Sequence, residues 1–211
     1  MVTRLTKKEI AYQIIRQAII AGDLRAGKIY NTAEFSKAYS LGITPIREAL
    51  IILESEGYLR SLARTGFEIT TVSVQDVQET FHLRTLLEVE AIGLAVERIS
   101  DGEIQQLKTN LQSEHQISLD PSSNKRQLAY QLNKEFHLII AHATGNRRLA
   151  NLVEQFIDNM ERILSFDPYK IDPKQHVGIL ESLIEHNKSK AQEAMRDHLE
   201  STRSRIYDRF S

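Results

Sequence analysis

The stretch GITPIREALIILESEGYLR, residues 42–60, restricts the fold more than any other part of the chain. Thr44 can cap a helix, and Pro45 suits the first helical position, where an N–H would have no partner. The apolar residues that follow recur at intervals of three and four, which predicts a helix that ends near Gly57 and buries Ile46, Ala49, Leu50 and Leu53. Arg47 lies off this stripe. The pattern therefore predicts a helix whose leading turn carries an exposed cation.

Two further helices are predicted ahead of this one. KKEIAYQIIRQAIIAG has apolar residues at helical spacing, and Gly22 stands where a C-terminal cap belongs. After a link with two glycines, NTAEFSKAYSLG predicts a short helix with Thr32 as its N-cap and with Phe35 and Ala38 on the buried side.

A small hairpin is predicted behind the third helix. YLRSLARTGFEITTV has apolar and β-branched residues on both sides of a turn at Thr65-Gly66. Three short helices followed by a hairpin predict a winged helix-turn-helix domain over residues 1–72. A helix that enters the major groove of DNA needs long polar side chains on its leading turn and apolar residues only on its back. Residues 44–53 meet that requirement.

The pattern becomes helical throughout residues 73–211. Ser73 is the expected N-cap of a long amphipathic helix whose inward side includes Val77, Phe81, Leu87, Ala91 and Leu94. Further helices are predicted at 101–119, 125–144, 147–165, 174–185 and 188–209, separated by turn-forming residues. No strand pattern appears, so the second domain is expected to be all-helical and the fold class mainly α.

The charges are divided unevenly between the two parts. Residues 1–72 contain ten Lys or Arg and seven Asp or Glu, whereas the remaining residues contain 17 and 21. A basic head on an acidic body fits a nucleic-acid-binding module joined to a domain that binds something else. The absence of cysteine excludes disulfides and thiolate zinc sites. No apolar run approaches ~20 residues and no secretory h-region follows the charged N-terminus, so we expect a cytoplasmic protein without a membrane partner.

Three side chains are placed to contact DNA. Arg47 can reach a guanine edge or a phosphate, Thr44 can offer its hydroxyl or amide to a phosphate, and Arg64 at the hairpin turn can lie along the minor groove. The alternative for Arg47 is a solvated arginine paired with a carboxylate such as Glu48. The alternative for Arg64 is a hairpin tip that is basic for solubility.

These segments resemble the GntR family of bacterial transcription regulators. GDLRAG is similar to the family's link after the first helix, TPIREALIILESEGYLR to its recognition helix and RTGFEI to its wing. The resemblance implies DNA contacts from the region of Thr32, Thr44, Pro45, Arg47, Arg64 and Gly66. Many relatives carry a serine and an arginine where this chain has Gly42 and Ile43, which removes one contact and alters the expected operator.

Four residues of the second domain suggest a metal site. NKEFH places Asn133 and His137 four apart on one helix face, while His176 and His198 lie on two other predicted helices. Three imidazoles and an amide can converge on a divalent ion inside a helical bundle. Taken singly, each histidine also fits a core or partly exposed position. His82, His115, His142 and His186 match no motif and are expected to be surface or packing residues.

Residues 73–203 resemble the FCD domain, the helical effector domain of the FadR branch of GntR regulators. The resemblance rests on Arg84 with Glu88, on NKEFH with Gly145-Asn146, and on the two later histidines. It implies a metal site formed by Asn133, His137, His176 and His198, and Arg84 as the partner of an effector carboxylate. Asn133 replaces the family's aspartate, so a metal that prefers imidazole, Zn or Ni, is expected. Arg84 can instead form only an i,i+4 pair with Glu88.

The resemblance implies a homodimeric, non-enzymatic regulator of transcription. Two winged heads would bind double-stranded DNA at an inverted repeat, and residues 73–211 would dimerise and sense a small carboxylate. An effector can alter DNA affinity only if it binds one arrangement of the heads better than another, so a change must reach residues 72–76. Two alternatives remain: a metal-independent regulator that binds an apolar acid, and a histidine-based metalloenzyme.

Overall fold

The computed structural model of the chain describes residues 5–118, 126–164 and 173–208. These residues form nine helices and one three-stranded sheet, so the mainly α class with an N-terminal winged helix-turn-helix is confirmed. The chain divides into two compact units, Met1–Val72 and Ser73–Ser211. Among the helices described, none combines the length and the apolar character that crossing a bilayer requires.

The first unit contains three helices and three short strands. In chain order they are α1 (Lys7–Ile20), β1 (Ile29–Tyr30), α2 (Thr32–Tyr39), α3 (Ile43–Ser55), β2 (Leu59–Leu62) and β3 (Gly66–Ile69). The sheet is antiparallel in the order β1-β3-β2, with Phe67 opposite both Tyr30 and Ser61. The predicted hairpin is present, and β1 adds a third strand that the sequence pattern did not reveal because it has only two residues.

Two predicted helix starts are wrong by one or two residues. Asn31, not Thr32, caps α2: its side chain accepts from the Glu34 amide at 2.9 Å while the Glu34 carboxylate accepts from the Asn31 amide. The resulting capping box satisfies two amides at once, which Thr32 in its place would not. Thr32 is the first residue of α2.

Thr44 does not cap α3 either. The helix begins at Ile43 after the extended Gly42, and no side chain caps it. Thr44 and Pro45 are therefore its second and third residues. Pro45 is still within the first turn, where its missing N–H costs no intrahelical hydrogen bond.

The core of the first unit lies between α1, α2, α3 and the sheet. Its largest fully buried side chains are Tyr58, Phe35, Ile15, Ile46, Leu50, Leu53, Leu59 and Ile69. The predicted stripe on α3 is buried throughout. Ala38 was expected inside but is exposed, because Tyr39 takes the inward position and stacks on Phe35 with ring centroids 6.4 Å apart.

The hairpin turn depends on two unusual backbone conformations. Arg64 has a φ of 64°, in the left-handed region that an arginine seldom adopts. Gly66 has a φ of 142°, and a Cβ there would lie 2.5 Å from the carbonyl oxygen of Tyr30. Gly66 thus lets β3 approach β1 closely.

The described residues of the second unit form helices and the turns between them, without a strand. It contains α4 (Val74–Ala95), α5 (Asp101–Ser118), α6 (Arg126–Ala143), α7 (Arg147–Leu164), α8 (Pro173–Ile184) and α9 (Lys188–Tyr207). Ser73 caps α4 as predicted. Helix α4 packs against α6, α7 and α9, while α5 packs against α6 and α8. The predicted breaks SLDPSSNK and FDPYKIDP lie almost wholly outside the described residues.

Candidate functional site

Three histidines from three helices meet inside the second unit. His137 of α6, His176 of α8 and His198 of α9 are all buried, and their ring centroids are 4.7 to 5.4 Å apart. One ring nitrogen from each lies within 4.8 Å of the others. Asn133 is also buried, one turn before His137 on α6. The structure thus brings together the three imidazoles that the sequence analysis proposed as ligands.

Each of these rings has a side-chain oxygen beside its Nδ1. Oε2 of Glu88 lies 2.5 Å from Nδ1 of His137, Oε2 of Glu114 lies 2.9 Å from Nδ1 of His176, and Oε1 of Gln175 lies 3.2 Å from Nδ1 of His198. An acceptor at Nδ1 keeps the proton there and leaves the lone pair on Nε2. Nε2 of His137 and Nε2 of His176 are buried and have no hydrogen-bond partner among the described residues. The contact of Glu88 with Nδ1 of His137 is at ion-pair distance but lacks hydrogen-bond geometry, whereas Glu114 is hydrogen-bonded to His176.

This arrangement fits a metal ion. Metal-binding histidines usually donate their second ring N–H to a carboxylate or carbonyl, which fixes the tautomer and the ring orientation. Buried polar atoms are nearly always paired, so orphaned Nε2 atoms that share one cluster require an explanation. Three neutral nitrogen donors match the preference of Zn, Ni or Cu rather than Mg or Ca.

Burial keeps the cluster in the state that can ligate. It is the largest influence that lowers the pKa of His137, although Glu88 opposes it. Burial also lowers the pKa of His198 well below its ordinary value, and the neighbouring His176 and His137 lower it further. Neutral imidazoles are the metal-binding form, so His137 and His198 need little or no deprotonation at neutral pH to accept an ion.

Arg84 is connected to this cluster by Glu88, which contacts both Arg84 and His137. It is buried, and its Nε donates to Oε1 of Glu88 at 2.6 Å. Burial raises the pKa of Glu88, but Arg84 and then His137 outweigh it and hold that pKa well below its ordinary value. Nη2 of Arg84 is buried without a partner in the described part of the chain. The i,i+4 pair is therefore present, and one guanidinium donor remains available for a ligand.

Glu114 is the residue that the sequence analysis missed. Its side chain is fully buried on α5, and both carboxylate oxygens lie within 3.1 Å of Nδ1 of His176. A signal was present: Glu114 continues the stripe of Ile104, Leu107 and Leu111, so a carboxylate occupies a position where α5 would bury an apolar residue.

The remaining histidines lie outside the cluster. His82, His115, His142 and His186 are exposed, in accord with the expectation of surface or packing positions. Nδ1 of His186 is 2.9 Å from the carbonyl oxygen of Val96, which ties the turn before α9 to the end of α4. None of the four belongs to the group of ring nitrogens that can share an ion.

The residues proposed for DNA contact are mostly accessible. Thr44 and Arg47 are exposed on the first turns of α3, three positions apart and so on one face. Arg64 is exposed at the hairpin turn, whereas Thr32, Pro45 and Gly66 are partly buried. Arg47 forms no ion pair with any residue in the described ranges, and Glu48 is exposed beside it.

Each of the two units matches a known protein family. Residues 79–201 match the FCD domain, and residues 7–69 match the bacterial regulatory proteins of the gntR family. The HTH-type transcriptional regulator YdhC of Bacillus subtilis (strain 168) is 28% identical over 192 residues, which cover 89% of this chain and 85% of that protein. The HTH-type transcriptional repressor GlaR of Escherichia coli (strain K12) is 23% identical over 198 residues, which cover 89% of this chain and 90% of that protein.

The fold has a solved counterpart of the same extent. The structure of E. coli McbR/YncC superposes with a TM-score of 0.80 at 21% identity, covering 99% of this chain and 100% of that one. At this level of identity the match establishes a shared architecture.

Proposed function

The chain belongs to the GntR family of bacterial regulatory proteins and carries an FCD domain, and from that premise we propose how its DNA binding is controlled. It is a DNA-binding transcription regulator, and its relatives are regulators rather than enzymes. We propose that a small carboxylate metabolite, bound at a metal ion in the histidine cluster, changes the affinity of the first unit for its operator.

The observation that carries this proposal is the pair of orphaned Nε2 atoms. Nδ1 of His176 is hydrogen-bonded to Glu114, and Nδ1 of His137 lies 2.5 Å from Oε2 of Glu88. Nε2 of each ring has no partner among the described residues. We assign His137, His176 and His198 as ligands, with the amide oxygen of Asn133 as a fourth. A bound Zn or Ni ion would supply a Lewis-acid position for one carboxylate oxygen of the effector. Three imidazoles alone leave the fourth position of a tetrahedral Zn site open for that oxygen, and an ion that accepts five or six ligands has room for it beside Asn133 as well.

Arg84 is the proposed second anchor of the effector. Its Nη2 is buried and has no partner in the part of the chain that the structure describes, while its Nε donates to Glu88. A guanidinium donor in a dry site binds a carboxylate more strongly than an exposed one does. Arg84 therefore selects for an acidic ligand and holds it near His137 through the shared carboxylate of Glu88.

DNA binding is assigned to residues 1–72. Thr44 and Arg47 would face the major groove, Arg64 the minor groove, and Thr32, Pro45 and Gly66 would support the contacting surfaces. A homodimer formed through residues 73–211 would present two such heads to an inverted repeat, because two half-sites one helical turn apart match a two-fold protein.

Metal analysis of protein purified without chelators or a nickel column tests the cluster. About one Zn or Ni ion per chain is expected, and His137→Ala should lose it because one of three imidazoles is removed. His142→Ala is the matched control, since His142 is an exposed histidine of the same helix. A wild-type chain that holds no metal and takes up no added Zn would instead support a metal-free pocket for an apolar acid.

A second experiment tests the effector. Small carboxylates are screened for those that raise the melting temperature, and each is then tested for its effect on operator affinity by fluorescence anisotropy. Arg84→Lys keeps the charge beside Glu88 but loses the guanidinium fork, so the melting shift should shrink. Identical operator affinity with and without every stabilising carboxylate would show that binding and DNA affinity are not coupled.

A further inference from the structure

We propose that Glu114 is a positioning residue of the metal site: it holds His176 with Nε2 toward the ion and supplies the negative charge that the neutral Asn133 does not. This inference rests on the proposed function, since it concerns how the same cluster binds a cation. Glu114 itself is not a ligand in this scheme and acts through the imidazole of His176.

The position of Glu114 is fixed by burial and by one partner. Its side chain is 0% exposed, and its oxygens lie 3.1 and 2.9 Å from Nδ1 of His176. No Lys or Arg lies within ion-pair distance of it in the described ranges. An ionised carboxylate removed from water is costly unless a positive charge compensates it. A divalent cation beyond the imidazole would provide that charge.

The other two anchors cannot provide the same charge. Glu88, beside His137, is already paired with Arg84, so the two together are neutral. The anchor of His198 is the amide of Gln175, which carries no charge. Among the side chains that contact the three rings at Nδ1, Glu114 is thus the carboxylate that no cation neutralises.

The plane of His176 is also held from its face. Phe136 stacks on it with centroids 4.1 Å apart and planes inclined by 5°. The ring can rotate about neither axis without losing the Glu114 contact or the Phe136 stacking. A ligand with a fixed direction binds with less loss of conformational freedom.

The test is a competition of metal-free protein against a chromophoric chelator for Zn²⁺. Glu114→Gln keeps the size and an acceptor oxygen but removes the charge, and we expect Zn²⁺ binding to weaken by about 10- to 100-fold. Glu90→Gln is the matched control, because Glu90 is an exposed carboxylate on α4. Adding Asn133→Asp to Glu114→Gln should restore much of the affinity, since a negative charge returns to the site.

A measurement on the wild-type chain does not depend on the folding of a variant. Nitrogen NMR of the Zn-loaded protein reports which ring nitrogen of His176 carries the proton. A proton on Nδ1 supports the proposal, and metal ligation through Nδ1 overturns it.

The possible failures are distinguishable. Wild-type protein that does not bind Zn²⁺ overturns both this inference and the metal-dependent function. Tight binding by the wild type together with an unchanged affinity of folded Glu114→Gln overturns the role of Glu114 alone.

Discussion

Each histidine of the cluster has a partner that is distant in sequence. His176 is oriented by Glu114, 62 positions earlier, and His137 is approached by Glu88 from α4. These partners, and not the histidines themselves, determine which ring nitrogen carries the proton and which one offers its lone pair to the cluster. The affinity of the site should therefore respond to charge changes around the rings.

Restoring a carboxylate at position 133 is expected to strengthen metal binding. Asn133→Asp places a negative charge one turn from His137, and Zn²⁺ affinity should rise about tenfold, or roughly 1.4 kcal/mol. The chelator competition measures the gain. Asn151→Asp, on the exposed side of α7, is the control. An unchanged affinity in Asn133→Asp would remove position 133 from the ligand set.

The metal-free protein is expected to lose stability as the pH falls below about 6.5. Burial lowers the pKa of both His198 and His137 in the folded chain, so the unfolded chain takes up protons first as the solution is acidified. The contribution of the neutral rings to the free energy of unfolding is present above their pKa in the unfolded chain. It is lost as the pH falls through their lower pKa values in the folded chain. Urea unfolding on both sides of about pH 6.5 measures this.

Substitution separates the cluster from other acid effects. His198→Asn removes one titrating ring and should flatten the pH dependence, whereas His115→Asn at an exposed position should leave it unchanged. Parallel pH profiles for all three proteins would contradict the explanation.

The sequence identified the three imidazoles but not their anchors. His137, His176 and His198 could be singled out because the motif around NKEFH and the later histidines has a recognisable order. That Glu114 lies beside His176 and Gln175 beside His198 could not be predicted, because a spacing along the chain says nothing about which side chain of another helix lies opposite. These contacts form only when α8 packs against α5 and α9.

At the level of elements, charged residues inside apolar stripes were the neglected signal. On α4 the inward positions Val77 and Phe81 are followed at the same spacing by Arg84 and Glu88, and all four are buried. A helix places charges on its buried side at a cost, and this is accepted where the charges bind something. On α5, Glu114 likewise interrupts an apolar stripe, which marks it as a buried carboxylate.

Helix bounds were predicted better than helix caps. The long helices of the second unit begin and end close to the predicted residues, because their apolar periodicity runs over many turns. Asn31 and Gly42 were missed as caps because each stretch has a second residue, Thr32 or Thr44, that can fulfil that role. Short strands such as β1 depend on pairing with β3 and carry no periodic pattern of their own.

The close approach of β1 and β3 gives a prediction at this scale. Gly66→Ala would place its Cβ 2.5 Å from the Tyr30 carbonyl at a φ unsuited to alanine, so it should destabilise the first unit by about 1–3 kcal/mol. Gly178→Ala is the control, since no atom lies within 4 Å of its added Cβ and α8 tolerates alanine. Thermal unfolding compares them, and equal melting temperatures would refute the steric explanation.

At the scale of the whole molecule, the two units carry opposite net charge. Residues 1–72 have three more basic than acidic side chains, whereas the rest of the chain has four more acidic ones. Phosphate contacts release counterions, so DNA affinity should fall steeply with salt, and the cations of the first unit should account for it. The acidic second unit is expected to contribute no phosphate contact.

Arg47→Ala is expected to weaken operator binding by about 1–3 kcal/mol, since Arg47 is an exposed cation on the leading turns of α3 and forms no ion pair within the described ranges. Arg196→Ala, an exposed arginine of α9, serves as the control for lost charge. Anisotropy titrations at several salt concentrations measure both. If the two variants bind DNA equally well, α3 is not the element that reads the operator.

The left-handed turn of the hairpin is expected to have opposite effects on the stability of the first unit and on its affinity for DNA. Arg64 occupies a backbone conformation that glycine adopts without strain, so Arg64→Gly should raise the melting temperature by relieving about 1 kcal/mol. The same change deletes a cation from the tip and should weaken DNA binding. Selection for thermal stability alone would therefore favour glycine at position 64, whereas selection for promoter binding would retain the arginine.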